Sequence, residues 1–155
     1  MRQDQTSENP NPINNGDHEI SQHYPLLIEM ANNQMRFSGS NGIFIDKLAH
    51  RSAMGSMEIV EHSRNPMGGV HGGALSTLAD TVAGCAVVSL GYSCVTVTST
   101  MNYLREVLFG TLFCSAEVVK EGRHIAVVDA KITDSEERLV ATGTFTFFIK
   151  RDATS

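Results

Sequence analysis

The run from 73 to 90 constrains this chain more than any other part of it. Ala74, Leu75, Leu78, Ala79, Val82, Ala83, Ala86, Val87 and Leu90 recur there at helical spacing, and small residues fill most of the positions between them. A helix with so wide an apolar stripe has to be enclosed. The material available to enclose it is strand-like. Two short runs, 42–48 and 55–61, precede it; in the first, Ile43 and Ile45 alternate against Phe44 and Asp46, and the two read as a hairpin. Four more runs, 93–104, 111–120, 125–133 and 139–150, follow it. Gly110, Glu121-Gly122 and the segment from Asp134 to Glu137 read as hairpin turns separating the last of these. The pattern predicts an α+β fold in which a curved antiparallel β-sheet wraps a long central α-helix.

The N-terminal part adds one element. Leu26, Leu27, Met30, Ala31 and Met35 recur at near-helical spacing and predict an extra N-terminal helix over 21–37, packed on the outside. Residues 1–19 are rich in Asn, Asp, Pro and Gln with almost nothing to bury, which predicts a disordered tail. A chain of 155 residues supports one core and does not favour two, so 20–155 read as a single domain.

Charge and cysteine usage narrow the partners. Twelve Lys and Arg stand against 17 Asp and Glu, and the cations are scattered, so no nucleic-acid partner is expected. A small anionic ligand needs only a local patch of cations, which a net acidic protein can supply. Cys85, Cys94 and Cys114 form no C-x-x-C pair, and their odd number points to a reducing cytoplasm instead of a secreted disulfide framework. The first 19 residues have no apolar core for a signal peptide. The 72–90 run carries Ser76, Thr77, Asp80 and Thr81 and reads as a buried helix, so no membrane partner is expected. His18, His23, His50, His62 and His124 show no metal-binding spacing, and no metal site is expected.

The densest cluster of unusual residues is Asn65-Pro-Met-Gly-Gly-Val-His71-Gly72-Gly73, with Asp80 further along the helix. Glycines at a helix start leave N–H groups open to a ligand, and the helix dipole favours negative charge there, which suits a carbonyl oxygen becoming an oxyanion. Asp80 sits in an otherwise apolar helical stretch, where a carboxylate needs compensation. Nine residues of helix rise about 13 Å and turn roughly half a circle, so His71 and Asp80 of one chain can hardly serve one substrate. A two-fold dimer with antiparallel central helices would bring the Asp80 of one copy to the His71-Gly72 of the other. Asn65, in the preceding loop, has an amide able to fix a water or a carbonyl. The simpler alternatives are a paired or solvated Asp80, a capping or core His71, a turn-forming Asn65, and glycines kept for close packing.

The runs N-P-M-G-G-V-H-G-G-A-L-S-T-L-A-D, V-T-V-T-S-T-M-N-Y-L-R, G-R-H and L-V-A-T-G-T-F-T-F resemble the PaaI-like hotdog acyl-CoA thioesterases of the 4-hydroxybenzoyl-CoA thioesterase superfamily. The resemblance covers roughly residues 40 to 150. It implies Asp80 as nucleophile or general base, the Gly72 N–H as oxyanion donor, and Asn65 and His71 as orienting groups. It places Thr96 where related enzymes hold the attacking water. It also implies an acyl-CoA substrate, no cofactor beyond the CoA of that substrate, and dimers that pair into tetramers. Around the substrate, Gly73 belongs to the glycine cluster, and Arg105, Lys120, Arg123 and His124 are the candidate cations for CoA phosphates. The family often has Pro after Y-L-R, where this chain has Glu106. Two other functions fit the same fold: a non-catalytic acyl-CoA-binding protein, and an acyl thioester dehydratase or hydratase.

Overall fold

The computed structural model describes residues 20–151, so the tail expected over 1–19 lies outside the described residues. In chain order the elements are α1 (Tyr24–Ala31), α2 (Phe37–Ser40), β1 (Ile43–Ala49), β2 (Ser52–Glu58), a 3-10 turn (Glu61–Ser63), α3 (Gly72–Val88), β3 (Ser93–Tyr103), β4 (Thr111–Glu121), β5 (Ile125–Thr133) and β6 (Leu139–Lys150). The six strands form one antiparallel sheet in the order β1-β2-β4-β5-β6-β3. Helix α3 packs against all six, so the sheet curls around it as its apolar stripe requires. This is the hotdog arrangement.

Leu75, Leu78, Ala79, Val82, Ala83, Ala86 and Val87 of α3 are all buried, and Ile43, Met57, Leu112, Val128, Ile132 and Phe145 meet them from the strands. Each large side chain enclosed this way contributes about 1.5–3 kcal/mol. Among the described residues, no helix is long and apolar enough to cross a membrane.

Three local expectations need correction. The N-terminal helix ends at Ala31, not near 37, because Asn side chains take over the backbone. Asn32 Nδ2 donates to the Ile45 carbonyl at 3.0 Å and its Oδ1 accepts from the Ile45 N–H at 2.7 Å, while Asn33 Oδ1 accepts from the Met35 N–H. Met35 consequently lies 91% exposed instead of in the apolar stripe. Strand β2 begins at Ser52, three residues early, and Glu61 falls in the 3-10 turn. Gly55 is not a strand start but a mid-strand contact: a Cβ there would sit 2.7 Å from Val82 Cγ2 and from the Phe44 carbonyl. Finally, Gly110 closes no hairpin. Strand β3 pairs with β6 at the far edge, and the chain crosses from that edge to the sheet's middle before Gly110, at φ 99, turns it into β4. The turns after β4 and β5 are hairpins as expected.

Candidate active site

The loop before α3 is held by its own polar groups. Arg64 and Val70 form a bridge, and the Asn65 N–H donates to the Gly69 carbonyl at 2.7 Å. Asn65 Oδ1 accepts from the N–H groups of Met67 (2.9 Å) and Gly69 (3.2 Å). Its carbonyl oxygen is thereby spent on the turn, and Nδ2 is the part left to meet a ligand. Arg64 Nη1 donates to the carbonyls of Gly68 and Leu108, tying the loop to the segment after β3. Glu106 touches this loop: a Cβ at Gly69 would stand 2.9 Å from its Oε1. The residue that departs from the family pattern thus rests on the glycine loop itself.

His71 is the N-cap of α3. Its Nδ1 accepts from the Gly73 N–H at 2.8 Å, so the neutral ring carries its proton on Nε2 and presents a donor to the outside. The two glycines that follow serve different ends. At Gly73 a Cβ would lie 2.9 Å from His71 Nδ1, so glycine there makes room for the cap. At Gly72 a Cβ would meet only the Tyr103 ring at 3.6 Å, an ordinary contact, so packing within the chain does not demand glycine. Among the described residues the Gly72 N–H has no partner, and it opens the positive end of the helix dipole.

Gly72, Ser76, Asp80 and Gly84 recur every four residues and form one stripe of α3 facing β3. The contacts climb the strand in reverse: Ser76 Oγ and Tyr103 OH are 2.5 Å apart, Thr96 Oγ1 donates to Asp80 Oδ1 at 2.8 Å, and Cys94 Sγ lies 3.8 Å from the Gly84 carbonyl. Burial, and secondarily the Asp80 charge, push the Cys94 thiol up to about 11. Asp80 is half-buried, and among the described residues its Oδ2 has no hydrogen-bond partner.

The structure therefore brings Asp80 and Thr96 together, and separately sets His71, Gly72 and Gly73 at the start of α3, with Asn65 in the loop that leads to it. Eight residues of α3 place Gly72 and Asp80 about 12 Å apart along its axis. The candidate cations divide likewise. Arg105 follows β3 at the Gly72 end, whereas Lys120, Arg123 and His124 lie at the β4–β5 turn, at the same end of the sheet as the start of β3 with β6 between; the His124 ring stacks on Phe148. Two hollows flank the helix. One, of about 340 Å³, has His71 and Gly73 on its wall, and the other, of about 370 Å³, has Asp80 and Thr96. Phe37 and Thr77 line both. Neither these two nor Ser76 and Tyr103 stand out in the sequence by residue type; the four-residue spacing of Gly72, Ser76, Asp80 and Gly84 was the available signal.

A model of the thioesterase superfamily matches residues 67–141. The acyl-coenzyme A thioesterase PaaI of Escherichia coli (strain K12) is 32% identical over 101 residues, covering 64% of this chain and 72% of that protein. Its structure, from the phenylacetic acid degradation operon, superposes with a TM-score of 0.77 at 26% identity, over 87% of this chain and 96% of that one. A hypothetical thioesterase from Streptococcus pneumoniae TIGR4, solved with coenzyme A, is 38% identical with a TM-score of 0.67, over 70% of this chain and 85% of that one. That protein was also solved with alanine replacing an aspartate and, separately, a threonine; the two positions are 16 apart, as Asp80 and Thr96 are here.

Proposed function

Because this chain belongs to the thioesterase superfamily, on its PaaI-like hotdog branch, we propose that it hydrolyses acyl-CoA thioesters to the free acid and CoA, in a site shared between two copies. One observation carries the reading: donors at the start of α3 and a carboxylate two turns later lie on a single rigid helix, too far apart to meet on one thioester bond. An antiparallel partner helix supplies the missing half, and in each site His71 and Gly72 of one copy face the Asp80 and Thr96 of the other. The same operation carries the β4–β5 turn of one copy towards Arg105 of the other, collecting cations for the CoA phosphates. The S. pneumoniae relative's coenzyme A supports that ligand class.

The thioester carbonyl accepts hydrogen bonds from the Gly72 N–H and His71 Nε2–H, and Asn65 Nδ2 orients it or the water. As the tetrahedral oxyanion forms, these fixed donors and the helix dipole stabilise it. Asp80 Oδ2 takes a proton from a water that attacks the carbonyl carbon, with Thr96 fixing the carboxylate. The C–S bond breaks and CoA leaves as a thiolate, which recovers the proton. Alternatively Asp80 attacks first, and water then hydrolyses the mixed anhydride. Either route ends in the same products. Further pairing of dimers into tetramers has an apolar patch to use on the outer face of the sheet, where Phe44 and Phe113 flank Ser56 in register beside Met54. Unlinked Cys85, Cys94 and Cys114 support a cytoplasmic setting.

Thiol release from a panel of aliphatic and aromatic acyl-CoAs tests the reading. Asp80→Asn should lower kcat by about a hundredfold or more while circular dichroism stays unchanged. A wild type that binds these esters and frees no thiol would replace hydrolysis by acyl-CoA sensing, and a gain of enoyl absorbance would replace it by dehydration.

A further inference from the structure

We infer that Phe37 is the residue that limits the length of the acyl group, by walling off the hollow beside His71 from the groove beside Asp80; this rests on the hydrolytic reading above. The hollow on the His71 side has a floor of Ile43 and Met57, each 1% exposed. Its polar lining is mostly engaged within the chain. Ser63 Oγ bonds Val60, Thr77 Oγ1 donates to the Gly73 carbonyl at 2.8 Å, and Arg64 Nη1 donates to the Gly68 and Leu108 carbonyls. What remains towards a ligand is apolar surface, the imidazoles of His62 and His71, and the remaining polar atoms of Arg64 and Asn41. With the carbonyl held at His71, an acyl group directed into this hollow meets an apolar floor, and its about 340 Å³ is at the small end of ligand sites.

The backbone that carries the wall is held in place. Phe37 is 72% exposed, so its ring is open to contact with a ligand. Its backbone is pinned: the carbonyl accepts from Ser40 Oγ at 2.9 Å, Asn41 Nδ2 at 2.7 Å and the Asn41 N–H at 3.2 Å. Two residues on, Gly39 is buried so tightly that a Cβ would come 2.4 Å from the Asn33 carbonyl, which fixes the short helix against the preceding turn. Thr77, the other residue common to both hollows, folds back on its own helix, so the ring is the larger obstacle between them. Removing it joins the two spaces along α3 and gives a longer chain somewhere to go.

The test is kcat/KM for hexanoyl-, decanoyl- and tetradecanoyl-CoA with wild type, Phe37→Ala, Phe37→Trp and, as a control from the same segment that lines neither hollow, Met35→Ala. Phe37→Ala should raise the tetradecanoyl-to-hexanoyl ratio by roughly tenfold, mostly through KM, Phe37→Trp should lower it, and Met35→Ala should leave it alone. Ratios within about twofold of wild type in both Phe37 variants, including an equal loss on every ester, overturn the inference while leaving hydrolysis intact. Absence of CoA release by the wild type from any ester overturns the hydrolytic reading, and this inference with it.

Discussion

The sheet has two edges, and they are treated differently. At β1 the edge is seven residues long, broken by a bulge between Ile45 and Lys47 that carries Asp46 and Lys47, and capped by the Asn32 amide, which bonds both backbone groups of Ile45 as one residue of a neighbouring strand would. Such charges, bulges and caps discourage pairing with another chain. At β3 the edge is eleven residues long; it too has a bulge, between Thr96 and Thr98, but it carries no charged side chain, and Val95 is 46% and Val97 54% exposed. The protected edge carries none of the candidate site residues. The open one carries Thr96, and pairing there would set two α3 helices side by side, as the proposed two-chain site requires.

Breaking the open edge should have the largest effect. Val95→Lys with Val97→Lys should reduce the mass in light scattering to that of one chain and lower CoA release by about a hundredfold or more, since each site then lacks its carboxylate. A fully active single chain would mean that one copy holds a complete site. Mixing refines the point. Asp80→Asn and His71→Ala chains, each inactive alone, should recover about a quarter of wild-type activity after re-equilibration, because half the pairs are mixed and each has one intact site. No recovery beyond the sum of the parts would argue against sharing. The smallest effect checks that the edge variant fails by separation and not by unfolding. With its thiol pushed up to about 11, chiefly by burial, Cys94 should stay nearly unreactive towards a disulfide reagent at about pH 8 in both forms. Rapid labelling of the lysine variant would show that β3 had come away from α3.

Much of this architecture is legible in the residues themselves. The periodicity of 73–90 forces an enclosed helix, and β5 and β6 run over the residues expected of them, since long alternating strands announce themselves by pattern. Neighbourhood in the sheet is another matter: nothing local tells β3 to pair with β6, and Gly110 looks like any hairpin glycine. Gly55 misleads for a related reason, its small size answering to Val82, which is distant in sequence. For the site, Asn65, His71, Gly72 and Asp80 are visible by type and spacing. Phe37 is not, because a lone phenylalanine between Arg36 and Ser38 carries no mark of where its ring will stand. Glu106 shows as a departure, but that it presses on Gly69 is a fact of tertiary packing.

The capping bond from the Gly73 N–H to His71 Nδ1 ties the aim of the proposed donor to the most fragile part of any helix, its first turn. Heat frays helix ends before it melts cores. As temperature rises, His71 would therefore lose its fixed bearing while the sheet still encloses α3, and the optimum for turnover would fall below the melting point of the fold.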